Sequence, residues 1–334
     1  MIKERENLFS FLEGKAKLIE PSLVKSLEDL KGSRLLYESA RYAVSSGGKR
    51  IRPTLAMVSA ELCGGDEEKV LPAAVAYELL HNCTLIHDDI MEKASIRRGK
   101  PTVRAKFGEG AAIVLGDVMF SVAYGQLHQL SKDFMPVKVL TTFNYFNTTC
   151  SMLAKGAMKE AEMQRVKHPT AKDYFYAVDN KTSSLIVGPL KTGALLSNAG
   201  DEELEALEAF GYCFGRVFQM RDDVLDLKGS KGFGKEKGMD VREGKRTLLV
   251  IYALDALAEK ERKQLLEILD KPKKSEKDVL KALTFIEKSG AVEKAQTEAE
   301  RIAAQGVERL ERFGDSKERR ILESLMEFAL QREF

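Results

Sequence analysis

The chain has 334 residues, 44% of them hydrophobic and 31% charged, and a formal net charge of only +2. That balance is ordinary for a soluble globular protein. It also argues against a partner such as nucleic acid, which calls for a basic excess, so any anion site must be a local concentration of charge.

The N-terminal segment Met1-Ile2-Lys3-Glu4-Arg5-Glu6 is charged and lacks the apolar core of a secretory signal. Apolar residues then recur every three or four positions nearly everywhere, and prolines are few (8), so the chain reads as all-α with roughly ten or more helices. Gly47-Gly48 and Gly64-Gly65 read as helix ends, and the first of them opens the basic turn Gly47-Gly48-Lys49-Arg50-Ile51-Arg52-Pro53. The stripe Leu71, Val75, Leu79, Cys83 carries an amphipathic helix into Asp88-Asp89-x-x-Glu92. Arg97-Arg98-Gly99-Lys100-Pro101-Thr102 follows as a basic loop. The most apolar stretch, Ala111 to Gly125, is too short to span a bilayer and contains Asp117, so no membrane span is expected.

Further along, Lys181-Thr182 sits near the start of an apolar helix, and a second acidic cluster, Asp222-Asp223-x-x-Asp226, lies on another. Lys228 to Arg246 is the longest irregular stretch, rich in glycine and lysine and flanked by Lys235 and Lys245, and such a loop is more often functional than idle. Beyond Leu257 the chain becomes charge-rich amphipathic helix, with no internal repeat and no domain boundary, so residues 1–334 read as one domain. The cysteines Cys63, Cys83, Cys150 and Cys213 are far apart, which argues against disulfides or zinc; they are expected as buried small hydrophobes in a reducing cytoplasm.

Either acidic cluster alone could be a solvated helix face. Both, however, are embedded in apolar sequence: Leu85-Ile86 precedes the first, and Val224-Leu225 lies inside the second. Carboxylates four apart on a helix repel one another, and a hard cation such as Mg²⁺ relieves that repulsion while leaving positions for water and phosphate oxygens. Several Lys and Arg groups accompany them in a nearly neutral chain, a combination suited to a diphosphate that reaches the carboxylates through metal.

From about Tyr37 to Leu249, the motifs GGKRIRP, ELLHNCTLIHDDIME, RRGKPT, KT and FQMRDDVLD…GKEKGMDVREGKRT occur in an order and spacing that resemble the trans-isoprenyl diphosphate synthases, or polyprenyl synthetases. The resemblance implies the isoprenoid synthase fold, a single large helical bundle around a central cavity. It implies an isopentenyl diphosphate site at Lys49, Arg52, His81 and Arg98, and an allylic diphosphate clamp at Arg97, Lys181 and Lys245, with Lys235 on a closing loop. Asp88, Asp89 and Glu92 resemble the first magnesium motif, and Asp222, Asp223 and Asp226 the second; three Mg²⁺ ions are implied. Thr182 and Gln219 resemble residues that face the developing allylic cation, and Asp240 the acid at the loop's end. His81 lies seven residues before Asp88, nearly on the same helix face, whereas His87 is read as structural.

The sequence departs from the family pattern at Glu92, where aspartate is usual, at Gly156-Ala157-Met158-Lys159-Glu160, where glutamine and aspartate are usual, and at Arg104, where histidine is frequent. Cys83 and Thr84 are small where bulky residues would stop chain growth early, and Met119, Phe120 and Tyr124 could form a lower floor. The resemblance then implies a homodimeric enzyme making geranylgeranyl diphosphate from isopentenyl diphosphate and an allylic primer. Fifteen-carbon, twenty-five-carbon or longer products, a terpene cyclase, a non-catalytic subunit of a heteromeric synthase and a phosphohydrolase remain open as alternatives.

Overall fold

A computed structural model describes residues 2–229 and 237–332. They are almost entirely helical: α1 (Ile2–Lys25), α2 (Arg34–Val44), α3 (Ile51–Leu62), α4 (Glu67–Met91), α5 (Val103–Phe107), α6 (Glu109–His128), α7 (Pro136–Met163), α8 (Ala171–Val178), α9 (Ser184–Leu196), α10 (Asp201–Lys228), α11 (Met239–Glu243), α12 (Leu248–Ala256), α13 (Glu259–Leu269), α14 (Glu276–Lys288), α15 (Ala291–Glu308) and α16 (Lys317–Gln331). Between α4 and α5 the basic loop forms a minimal antiparallel ribbon, β1 (Ile96–Arg97) with β2 (Lys100–Pro101), in the register Arg97 to Lys100. The chain divides into two compact units. The first comprises 1–150, 185–208 and 310–324, and the second 151–184, 209–309 and 325–334.

In the first unit α4 is the central helix. Asp66 caps it by accepting from the Glu68 N–H at 2.9 Å. Val70, Ala73 to Cys83 and Ile86 are buried on all sides of it, which is why its apolar pattern is a run more than a stripe. Helices α3 and α6 pack against it. Below its middle lies an aromatic cluster in which Phe146 meets Tyr77 at 5.3 Å and Tyr124 at 5.2 Å between ring centroids, while Tyr124 stacks on Phe143. The Tyr77 hydroxyl is satisfied by Thr192 at 2.9 Å.

The stretch Ala111 to Gly125, expected to be too short to span a bilayer, lies within a longer helical run: α6 with the turn that follows, residues 109–132, is long and apolar enough, by length and composition, to cross a membrane. Its buried stripe Ala112, Leu115, Gly116, Met119, Ala123 and Leu127 faces the rest of the unit, and Gly116 admits the His87 ring, which a Cβ would meet at 2.1 Å. His87 is thus a packing residue, as the sequence reading has it.

In the second unit, a π-helical turn, Asp179–Ser183, joins α8 to α9. Such a wide turn inserts an extra residue into the helical ladder and is often found at functional sites. Arg216 on α10 holds it through a two-pronged pair with Asp179 at 2.7 and 2.6 Å. The stretch from Lys228 to Arg246 is less irregular than its composition suggests, since Lys228 ends α10 and 239–243 form α11. The cysteines also differ from expectation: all four are free thiols, but only Cys83 is fully buried.

Candidate active site

The basic turn between α2 and α3 is built by backbone conformations that glycine tolerates: φ is +87° at Gly47 and +141° at Gly48. Arg50, also left-handed at φ +49°, is the N-cap of α3 and turns inward, where it is buried. Lys49 beside it is exposed, with its ammonium 5.4 Å from the Phe9 ring centroid. Arg52, in the first turn of α3, donates from Nη1 towards His81 Nε2 at 3.1 Å. A guanidinium only donates, so Nε2 is the acceptor and neutral His81 carries its proton on Nδ1. Burial, followed by the charges of Arg52, Arg98 and Arg97, holds the His81 pKa well below the usual histidine range. The ring is therefore neutral at physiological pH.

Arg98 occupies the tip of the β1–β2 turn in a left-handed conformation and donates to the Gly47 carbonyl oxygen. Its guanidinium lies so close to Gly48 that a Cβ there would sit 2.9 Å from Nη1. Glycine at 48 is thus a condition for this approach. Arg52, His81 and Arg98, predicted as one anion cradle, are brought together around the turn that carries Lys49.

At the end of α4, Asp88 is half-buried, Asp89 is buried, and Glu92 is exposed as the helix C-cap. Asp89 Oδ1 accepts from Arg97 Nε at 2.7 Å. Burial raises its carboxyl above the ordinary value even though Arg97 opposes the shift. Arg104, the departure from histidine, donates to the Lys93 carbonyl at 2.7 Å and so fastens the turn that follows the motif. Cys83 is fully buried, with burial pushing its thiol up to about 12, and Thr84 is half-buried with its hydroxyl on the His81 carbonyl.

In the second unit a chain of hydrogen bonds runs through the residues singled out by sequence. Thr182 Oγ1 donates to Gln219 Oε1 at 3.0 Å, and Gln219 Nε2 donates to Asp223 Oδ1 at 3.0 Å. The other oxygen of Asp223 accepts from the Tyr174 hydroxyl at 2.8 Å. Burial, then the nearby Asp240 charge, pushes the Asp223 carboxyl well above its usual range. Tyr174 escaped the sequence reading because it belongs to no acidic or basic motif. Asp226 accepts from the backbone N–H groups of Met239 at 3.1 Å and Asp240 at 3.0 Å, tying the start of α11 to the second motif.

Lys181, in the π-turn, pairs with Glu160 Oε2 at 2.7 Å. Burial alone would raise the Glu160 carboxyl, but Lys181 and Lys245 outweigh it and hold it below the ordinary value. The longer acid at 160 therefore has a definite partner. Gly156, the other half of that element, lets α7 touch the π-turn, since a Cβ would come within 2.3 Å of the Lys181 backbone nitrogen. Lys245 lies 2.7 Å from Glu243 and 3.5 Å from Asp240. Burial, then Asp226, pushes the Asp240 carboxyl up to about 7. Arg332, near the chain's end and without sequence signal, places its guanidinium on Asp222 and over the Phe218 ring, 3.8 Å from the centroid. Lys235 lies outside the described residues.

The donor set suits Mg²⁺. Among the described residues no three His, Cys, Asp or Glu side chains converge as a closed cage. Mg²⁺ needs none, since it takes one or two carboxylates and fills its other positions with water and phosphate oxygens. Asp88 and Glu92 offer hard oxygens at the accessible end of α4, and Asp222 does so on α10.

The sequence pattern of the family described as polyprenyl synthetase matches residues 33–286. A protein from Methanosarcina mazei named geranylgeranyl diphosphate synthase is 37% identical over 300 residues, 90% of each chain. Another from Natronomonas pharaonis, named geranylfarnesyl diphosphate synthase, is 30% identical over 98% of this chain and 99% of its own. The crystal structure of geranylgeranyl pyrophosphate synthetase from Pyrococcus horikoshii superposes with a TM-score of 0.92 at 34% identity, covering 98% of this chain and 99% of that one.

Proposed function

The chain belongs to the polyprenyl synthetase family and is a prenyltransferase, and on that footing we propose that it condenses isopentenyl diphosphate with an allylic diphosphate to give all-trans geranylgeranyl diphosphate. The observation that carries the reading is the cradle of Arg52, His81 and Arg98 around the Lys49 turn in the first unit, alongside a different cation set, Lys181 with Glu160 and Lys245 with Glu243, in the second. An enzyme that only ionised or hydrolysed one allylic diphosphate would need a single cation set.

In this reading Lys49, Arg52 and Arg98 bind the diphosphate of isopentenyl diphosphate, and neutral His81 offers its Nδ1 proton. Arg97, Lys181 and Lys245 bind the allylic diphosphate, with Lys235 as a further cation for it. Magnesium would be held by Asp88, Asp89 and Glu92 of the first motif and by Asp222, Asp223 and Asp226 of the second, and would supply positive charge to the departing diphosphate; three ions is the number the resemblance implies. Arg97 on Asp89, Arg332 on Asp222, Tyr174 and Gln219 on Asp223 and the α11 backbone on Asp226 orient those carboxylates. Thr182 gives its hydroxyl proton to Gln219 and so presents lone pairs, not a hydrogen, to the developing allylic cation. Asp240 sits with Lys245 at the end of the closing loop.

The small Cys83 and Thr84 leave room for chain growth, and the Tyr124 cluster beneath supports a twenty-carbon limit, with Met119 and Phe120 on the same helix. The relative named geranylfarnesyl diphosphate synthase supports twenty-five carbons as the second reading. The free cysteines support a cytoplasmic setting. Ile113 and Val114 on α6 and Val137 and Leu140 on α7, all exposed, support a second copy of the chain as the partner that covers them. The reading predicts incorporation of labelled isopentenyl diphosphate only with Mg²⁺ and an allylic primer. Phosphate release without carbon–carbon bond formation overturns it.

A further inference from the structure

Arg50 stands inside the basic turn but does not behave like its neighbours. Its side chain is 3% exposed, and its partner Glu78 on α4 is 4% exposed. Arg50 Nη1 donates to Glu78 Oε1 at 2.7 Å, and Nη2 donates to the carbonyl of Val44, the last residue of α2, at 2.6 Å. Asn82, one turn after Glu78, donates to the Glu78 carbonyl oxygen at 2.8 Å and lies 3.4 Å from Oε1. One guanidinium thus joins the end of α2, the start of α3 and the middle of α4.

Three facts make this more than a packing contact. A left-handed arginine is strained, and strain of this kind persists only where surrounding contacts fix it. A buried ion pair is weak evidence of stability, because an apolar pair of similar volume is often as stable or more so. Finally, Glu78 and His81 are three residues apart on one face of α4, while Arg50 and Arg52 are two apart at the start of α3. The Arg50–Glu78 pair therefore sets the register in which Arg52 meets His81.

We infer that Glu78 is a positioning residue for the isopentenyl diphosphate cradle: its buried carboxylate holds Arg50 inward in its left-handed turn and thereby aims Lys49 and Arg52 at the diphosphate. The inference rests on the reaction proposed above. Without the carboxylate, Arg50 keeps as counter-charge only Glu20, a longer contact at 3.6 Å to a side chain more than half exposed, and is drawn towards the incoming anion, displacing the turn.

The test compares the full chain with Glu78→Gln and with the apolar pair Arg50→Met/Glu78→Leu, which keeps the variant falsifiable if the single change fails to fold. Steady-state assays vary isopentenyl diphosphate at saturating primer and then the primer at saturating isopentenyl diphosphate. Expected is a rise of about tenfold or more in KM for isopentenyl diphosphate in both variants, with kcat and the primer KM within about twofold. Thermal unfolding of the apolar pair should stay at the wild-type midpoint, so that position and stability separate. If the apolar pair regains wild-type KM together with wild-type stability, or if both KM values rise alike, the positioning role is wrong. A wild-type protein that incorporates no isopentenyl unit overturns the parent reading instead.

Discussion

Replacing Tyr174 with phenylalanine removes one oxygen from the centre of the second unit and nothing else. The ring keeps its volume, so no cavity opens, and Tyr174 is only 5% exposed, so water cannot take the hydroxyl's place. What is lost is the 2.8 Å donation to Asp223 Oδ2, leaving Gln219 at 3.0 Å as the remaining donor. Leaving a buried acceptor short of a donor costs about 1–3 kcal/mol, and Asp223, 4% exposed, has no solvent to compensate. Stability measured by urea unfolding should therefore fall by about 1–3 kcal/mol, roughly a five- to hundredfold change in the folded ratio. Because Asp223 also orients Gln219, and Gln219 orients Thr182, kcat for incorporation of labelled isopentenyl diphosphate should fall about tenfold, with its KM little changed. A Tyr174→Phe enzyme with stability within about 0.5 kcal/mol of wild type and an undiminished kcat would refute the chain of positioning from Tyr174 to Thr182.

The acidic motifs make a graded prediction: Asp88→Ala and Asp222→Ala abolish turnover, while Glu92→Asp retains or raises it, read together with Mg²⁺ affinity by calorimetry. Thr84→Phe fills space beside the buried Cys83 and should shift products to shorter chains, read by chromatography of the product alcohols. Asp173 gives the pH dependence. Its hydrogen bond from Lys159, then that from Thr170, holds its carboxyl down to about 2, below the ordinary 3.8. A depressed acid contributes stability that is present above the unfolded value and is lost as pH falls through the folded one. Wild type should thus lose a small increment between about pH 4 and pH 2 that Asp173→Asn lacks, measured by the acid-unfolding midpoint.

The parts of the site written as local patterns were legible in the sequence. The two acidic clusters, the glycine turn before Lys49 and the Lys181-Thr182 pair announce themselves through charge and spacing, and the structure brings Arg52, His81 and Arg98 together as expected. What was not legible depends on long-range packing. Tyr174 meets Asp223 across 49 residues and Arg332 meets Asp222 across 110, and neither residue type is unusual where it stands. Glu78 was hidden for a related reason: it sits in a run of buried apolar residues, and only the inward turn of Arg50 shows why a carboxylate is there. The stretch Ala111 to Gly125 looked too short to span a bilayer because it was measured by apolar residues alone, whereas the helix around it runs from Glu109 to His128.

The central claim is a condensation between two diphosphates. Incubating the purified chain with labelled isopentenyl diphosphate, Mg²⁺ and a fifteen-carbon allylic primer, then resolving the dephosphorylated products, tests it most directly. The account predicts a labelled twenty-carbon alcohol that disappears when either Mg²⁺ or primer is left out. Unlabelled hydrocarbon or free phosphate from the primer, with no label carried into a longer chain, would contradict it.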